Sequence, residues 1–272
     1  MTSTNPYNLP TEWSEVCSGK SVMLGLKKYA FRRDYSSYKM KALGFTGLEL
    51  VDALDGWEEG VNIDNALKNL GLYLKPNLKF GHKACTYSHI VLWKKMIDEA
   101  IPYMTIFEDD CLGHLDLPKG LGQTFWDATP KNFDIVYLGN MMNPADPLLN
   151  NPNAIVVQSR SYCMHAYILT LQGAKTLWRL LHETNASNTP LRMLDVQVAD
   201  WQDERKIISY SWNGTYIQKS YPTYDEGLPW QAFSDVILPQ KDTGLFWQNM
   251  RLGTTIQSHT LELMVLSDYS NK

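Results

Sequence analysis

The sequence predicts an α/β fold, a mostly parallel sheet with helices on both faces. Three observations carry that expectation. Short apolar runs of strand character alternate with stretches of helical periodicity over residues 1–140, the pattern of a covered parallel sheet. Acidic turns stand where two of those runs end, Asp52-Ala53-Leu54-Asp55-Gly56 and Glu108-Asp109-Asp110, and the carboxyl edge of such a sheet is where a ligand crevice is expected. A hydrophobic content of 44% over 272 residues supplies a substantial core, with no apolar run long enough to cross a bilayer.

Residues 21–26 read as the first strand and residues 31–43 as the helix after it, with Gly44 where a helix stop is expected. Residues 46–53 read as the second strand, completing a βαβ opening. Gly81 opens a long helical pattern through Ala100, with Ile90, Trp93, Ile97 and Ile101 at helical spacing, and Pro102 closes it. The run Tyr103-Met104-Thr105-Ile106-Phe107 then reads as a short buried strand, and residues 133–138 as another that ends at Gly139. Three prolines and five asparagines in residues 140–153 mark a loop near the ligand edge. Residues 163–170 read as strand, 171–181 and 191–201 as helices, and 207–272 as short strands and irregular chain rich in aromatics. Without a repeat or a linker, residues 1–272 read as a single domain.

The formal charge of −4 argues against a protein that coats nucleic acid. The charge is unevenly spread, with seven basic residues against the single acid Asp34 between Lys20 and Lys41. That segment either faces a phosphate-bearing ligand or forms a solvated helix face. Cys17, Cys85, Cys111 and Cys163 are widely spaced, with no Cys-x-x-Cys pair. They are expected to be reduced and mostly buried, Cys85 and Cys111 included, as small apolar side chains. The polar start of the chain lacks a signal-peptide pattern, and a cytoplasmic protein without an integral membrane segment is expected.

The acidic triplet is the most informative motif. Glu108 and Asp110 are expected to point to the same side, because side-chain direction alternates along extended chain, and there they can hold a divalent cation through oxygen, leaving open positions for a diphosphate. Hard oxygen ligands of this kind suit Mn²⁺ or Mg²⁺. An acidic turn or a helix cap at Asp110 is the competing reading.

Several segments together resemble glycosyltransferase family 25, which includes bacterial lipopolysaccharide galactosyltransferases and collagen galactosyltransferase domains. Arg32-Arg33 stand where the family has paired arginines, and Ala53-Leu54-Asp55-Gly56 resembles its second strand end. Gly81, Cys85-Thr86-Tyr87-Ser88-His89 and Glu108-Asp109-Asp110 match its most specific run. Val136-Tyr137-Leu138-Gly139, Ala166-Tyr167-Ile168-Leu169 with Gly173-Ala174-Lys175, and Asp195 are also similar to family segments. The likeness covers about residues 21–195, with two departures: Met23-Leu24-Gly25-Leu26-Lys27 at the first strand, and a wider gap between Pro190 and Asp195.

The resemblance implies a GT-A-like fold whose Rossmann-like, nucleotide-sugar- and metal-binding half spans about residues 20–140, with an acceptor half over about 154–272. It implies a metal-dependent, inverting transferase that moves a sugar from a nucleotide-diphosphate donor, a uridine diphosphate sugar, to a hydroxyl. Arg32, Arg33, Ala53, Asp55, Ser88, His89 and Asp109 are then candidates for donor binding, and Glu108 and Asp110 for the metal with His259 as a late ligand. Asp195 is the candidate base. His89 either binds phosphate, orients an acidic ligand or is a structural hydrogen-bonder, and Ser88 either caps the helix or donates to the nucleotide. The aromatics between Trp201 and Trp247 form an acceptor surface or a second small core. The acceptor is expected to be a glycan such as lipopolysaccharide, or alternatively a hydroxymethylated base in DNA. The rivals of another class are an inactive sugar-binding scaffold and, more weakly, a nucleotide hydrolase; the oligomeric state is open.

Overall fold

Ser21–Gly25 form strand β1, buried at every residue. Burial on both faces is what an inner strand of a covered sheet requires. The computed structural model describes residues 6–58, 60–113, 117–142, 154–157, 161–212, 242–244 and 246–248. Helix α1 (Trp13–Ser18) precedes β1, and α2 (Ala30–Ala42), β2 (Leu48–Asp52), α3 (Ile63–Asn69), α4 (Phe80–Asp98), β3 (Tyr103–Glu108), β4 (Cys111–Gly113) and α5 (Leu121–Ala128) follow it. The chain continues through β5 (Ile135–Met142), β6 (Val156–Val157), β7 (Ser161–Thr170), α6 (Leu171–Ala186), α7 (Leu194–Asp203), β8 (Ser209–Trp212), β9 (Asp242–Gly244) and β10 (Phe246–Gln248).

The main sheet has the order β2-β1-β3-β7-β5-β8-β6, and β9 pairs with β5 as well. Strands β2, β1, β3, β5 and β8 run one way, and β7 runs against both β3 and β5. The expected α/β class and the mostly parallel main sheet are therefore present, with β7 the reversed strand at its centre. Alternation along the strands divides the core. Val22, Leu24, Met104, Ile106, Ile135 and Tyr137 face α3, α4, α6 and α7, while Met23, Phe107, Val136 and Leu138 face α1, α2 and α5.

Because β1 lies between β2 and β3, the chain winds over one face of the sheet through α2 and over the other through α3 and α4. That reversal of winding opens a crevice at the carboxyl ends of the strands. Gly25 is level with Asp52 and Leu24 with Glu108, so β1, β2 and β3 end together. The chain beyond α7 returns to this edge: Gln248 of β10 pairs with Cys111 of β4, the residue after the acidic triplet. Among the described residues no helix is long and apolar enough to cross a membrane.

Candidate functional site

A cavity of about 260 Å³ lies in that crevice. The end of β1 contributes Leu24, Gly25 and Leu26, the turn after β2 contributes residues 53–57, and α2 contributes Arg32. Helix α4 adds Gly81, His82, Ala84, Cys85, Ser88 and His89, and the end of β3 adds Glu108, Asp109 and Asp110. The structure thus brings together Arg32, Ala53, Asp55, Ser88, His89, Glu108, Asp109 and Asp110 from the sequence-based candidates. Arg33 does not line the cavity; it pairs with Asp52 at the rim. His259 lies outside the described residues, as do Tyr216, Tyr221, Tyr224, Trp230 and Phe233.

The triplet does not continue the strand. β3 ends at Glu108, and Asp109 and Asp110 form a turn, so strand alternation does not govern Asp110. The three carboxyl groups separate by environment. Asp109 forms an ion pair with Arg32, and its backbone carbonyl accepts from the Ser36 hydroxyl at 2.6 Å. Gly25 makes room for it, since a Cβ at that position would overlap Asp109 Oδ2. Burial raises the Asp109 pKa above its ordinary value although Arg32 opposes the shift. Asp110, 3% exposed, is raised well above its ordinary value by burial and then by the Glu108 charge. Asp109 Oδ2 and Asp110 Oδ1 are buried without a hydrogen-bond partner among the described residues.

Glu108 turns toward α4. His89 Nε2 lies 3.1 Å from Glu108 Oε1, and His89 Nδ1 lies 2.9 Å from the Tyr167 hydroxyl. Tyr167 in turn accepts from the Trp93 indole N–H at 3.0 Å. An indole nitrogen only donates, so the Tyr167 proton is free to go to His89 Nδ1, which leaves the Nε2 proton directed at Glu108. Burial acts to raise the Glu108 pKa, but the His89 hydrogen bond and the nearby His89 and His165 outweigh it and the net shift is downward. His89 thus hydrogen-bonds Glu108 on one side and Tyr167 on the other.

Two expectations are corrected here. Ser88 sits in the body of α4, where its hydroxyl donates to the Ala84 carbonyl at 2.8 Å and accepts from the Leu54 amide at 3.0 Å. It therefore does not cap the helix; with its hydroxyl bonded to Ala84 and Leu54 it ties α4 to the turn after β2. Cys85 is not a packing residue but an exposed one at the cavity, its thiol 3.7 Å from Glu108 Oε1. Although the residue is open to the cavity, desolvation of its sulfur there, together with the charges of Glu108 and Asp195, pushes its pKa well up. Cys17 and Cys111 are buried and Cys163 partly so, and none of the four cysteines is in a disulfide among the described residues.

The remaining groups frame the cavity. Lys28 pairs with Asp55 at 2.6 Å, whose other oxygen accepts from the Trp57 amide at 3.0 Å. Of the basic segment, Lys28, Arg32 and Arg33 reach the sheet edge, each paired with an acid there. Asp195, in the first turn of α7, accepts from the backbone amides of Val196 at 2.8 Å and Cys163 at 3.3 Å. It does not line the cavity, yet its charge acts on the Cys85 thiol. Trp201 and Trp212 are core residues, so at least these two aromatics belong to the packing reading. Tyr167, Trp93 and His165 escaped the sequence reading as site residues, because apolar spacing marks their strands and helix and nothing local marks a buried polar contact.

The family model described as glycosyltransferase family 25 (LPS biosynthesis protein) matches residues 20–194. The lacto-N-neotetraose biosynthesis glycosyltransferase LgtB of Neisseria meningitidis serogroup B is 33% identical over 99 residues, 36% of this chain and 34% of that protein. The procollagen galactosyltransferase 1-A of Xenopus laevis is 25% identical over 226 residues, 74% of this chain and 34% of that protein. The chain thus spans about a third of the length of these curated relatives. A solved structure, the inositol-1-phosphate CTP transferase from T. maritima, aligns with a TM-score of 0.37 at 14% identity over 72% of this chain and 85% of that one.

Proposed function

The chain belongs to glycosyltransferase family 25, and from that premise we propose that it transfers a sugar from a nucleoside-diphosphate donor, a uridine diphosphate sugar, to a glycan hydroxyl with inversion. The observation that carries the reading is the pair of orphaned carboxylate oxygens, Asp109 Oδ2 and Asp110 Oδ1, buried in a cavity at the carboxyl edge of the sheet. Asp109 has Arg32 as its counter-ion; Asp110 lies buried beside Glu108 with its Oδ1 unpartnered among the described residues, and such like charges are costly unless a cation offsets them. Asp110 and Glu108 would hold Mn²⁺ or Mg²⁺, with Asp109 fixed behind them by Arg32. Such a cation, when bound, supplies Lewis-acid stabilisation of the departing diphosphate.

The protein's own groups do the rest. Among the described residues no side chain caps the N-terminus of α4, whose residues Gly81 and His82 line the cavity; its amides and dipole favour donor phosphate. The turn after β2, held by Ser88 and by the Asp55–Lys28 pair, supports the nucleoside end of the donor. Asp195 is oriented by two amides and serves as the base that takes the acceptor proton. The lipopolysaccharide description of the family and the glycan-building names of the relatives support a glycan acceptor.

Thermal stability against a panel of nucleotide sugars, each with and without Mn²⁺, tests the reading, since a ligand of the folded state raises the melting temperature. A shift that needs both partners and disappears in Asp110→Ala is the expected result. A donor-dependent shift that survives chelation and Asp110→Ala would overturn the metal assignment, and no shift with any donor would return the chain to the scaffold class.

A further inference from the structure

We propose that Cys85, His89 and Glu108 form a second cation site, selective for thiophilic divalent ions of the zinc class and sharing Glu108 with the hard-oxygen site proposed above. One ligand atom from each of the three residues lies within 4.8 Å of the others. Sulfur, imidazole nitrogen and carboxylate oxygen are the donor set that Zn²⁺ and Cd²⁺ prefer, whereas Mn²⁺ and Mg²⁺ are served by oxygen alone. Cys85 and His89 stand four residues apart on α4, which places both on one face of that helix. Glu108 reaches them from the end of β3.

The surroundings are those of a built site. A metal-binding histidine uses its second ring nitrogen in a hydrogen bond that fixes the ring. His89 Nδ1 has that bond to the Tyr167 hydroxyl, which the Trp93 indole holds from behind. His89 and Tyr167 are buried at 1% and 0% exposure, so the ring has little freedom to turn away. Cys85 is exposed toward the cavity, which gives an ion its way in. Three protein ligands leave the fourth tetrahedral position to water or to a phosphate oxygen.

Binding balances simply. The Cys85 S–H bond breaks as the sulfur–metal bond forms, and that proton goes to solvent. His89 exchanges its Nε2 proton for one on Nδ1, with no net change in its charge, and the Tyr167 hydroxyl rotates its own proton away so that its oxygen accepts from Nδ1. No group is oxidised or reduced. The ion withdraws Glu108 from the hard-oxygen site, so in a working transferase it acts as an inhibitor; that consequence alone rests on the proposed function.

Titration of the metal-stripped protein with Cd²⁺ alone tests the site, read by the ultraviolet thiolate-to-cadmium charge-transfer band. One equivalent is expected to produce the band in the unaltered protein. Cys85→Ser, a near-isosteric change, is expected to remove it, and His89→Gln, which deletes the imidazole donor, to weaken binding by more than the roughly 10- to 100-fold that losing an outer-shell partner costs. A band that persists in Cys85→Ser, or no band at all in a protein with native circular dichroism, overturns the proposal. The band is read without donor or acceptor, so it separates from the proposed function. Mn²⁺-dependent transfer without the band sinks the second site alone, and the band without any transfer leaves the site standing and sinks the transferase reading.

Discussion

Tyr167 makes two side-chain hydrogen bonds, to His89 Nδ1 and from Trp93 Nε1, and through His89 it reaches Glu108. Tyr167→Phe keeps the ring and deletes only the hydroxyl, leaving the Trp93 indole N–H buried without its acceptor. A loss of about 1–3 kcal/mol is expected from that orphaned donor, together with a Mn²⁺ affinity weaker by up to roughly 10-fold as the His89 ring, which orients Glu108, loses its own partner. Denaturant unfolding and Mn²⁺ titration read the two effects separately, and unchanged Mn²⁺ affinity in a folded variant would show that the relay is structural only. Asp195 is the second residue whose role turns on one atom type. Asp195→Asn preserves its size and its acceptance from the Val196 amide but removes the basic carboxylate. Donor-induced stabilisation should survive, and turnover should fall by about 10²- to 10⁴-fold. Normal turnover would move the base to another carboxylate, with Asp200 next in line on the same helix.

Helix α4 carries Cys85, Ser88, His89 and Trp93 on faces turned toward the sheet and the cavity. Its existence was legible from the spacing of Ile90, Trp93 and Ile97, because burial of one helical face leaves a periodic trace. Its polar work was not, since a hydroxyl's partner depends on which loop packs beside it. Ser88 shows the difference: the sequence left it as a cap or a ligand, and the structure spends it on Ala84 and Leu54. Ser88→Ala should therefore cost about 1 kcal/mol of stability and raise the donor KM with little change in kcat, as the turn after β2 loosens. An unchanged KM would mean that the Asp55–Lys28 pair holds that turn unaided. The strands tell the same story. β1, β2, β3, β5 and β7 were visible as apolar runs, but the reversal of β7 was not. A strand buried on both faces has the same composition in either direction, so its antiparallel pairing with β3 and β5 is settled only by the tertiary fold. The short helices α1, α3 and α5, of six, seven and eight residues, left too few turns for a periodic signal.

At the scale of the molecule the fold gathers negative charge into a covered crevice, and the charge then sets how stability responds to pH. Asp109, Asp110 and Asp134 have folded pKa values raised by burial above the ordinary 3.8, while Glu108 and Glu49 are lowered from 4.5. A raised carboxyl contributes stability that is full below its unfolded value and is lost as pH rises through the folded value; a lowered one does the reverse. Asp110 is raised well above its ordinary value, with Glu108 beside it, so in metal-free protein its contribution should fall as pH climbs from the unfolded value of about 4 through the raised folded value. Asp110→Asn removes the charge while keeping the shape. The two proteins should have similar stability at acid pH, and the variant should become the more stable as pH rises, by a few degrees in melting temperature at neutrality. Saturating Mn²⁺ should invert the order, because a bound cation favours the ionised carboxylate that only the unaltered protein has. Unfolding curves across this pH range, with and without Mn²⁺, read both halves. A variant no more stable than the parent at neutral pH in chelator would mean that Asp110 is ionised at little cost, and the buried acid cluster would then no longer argue for a cation.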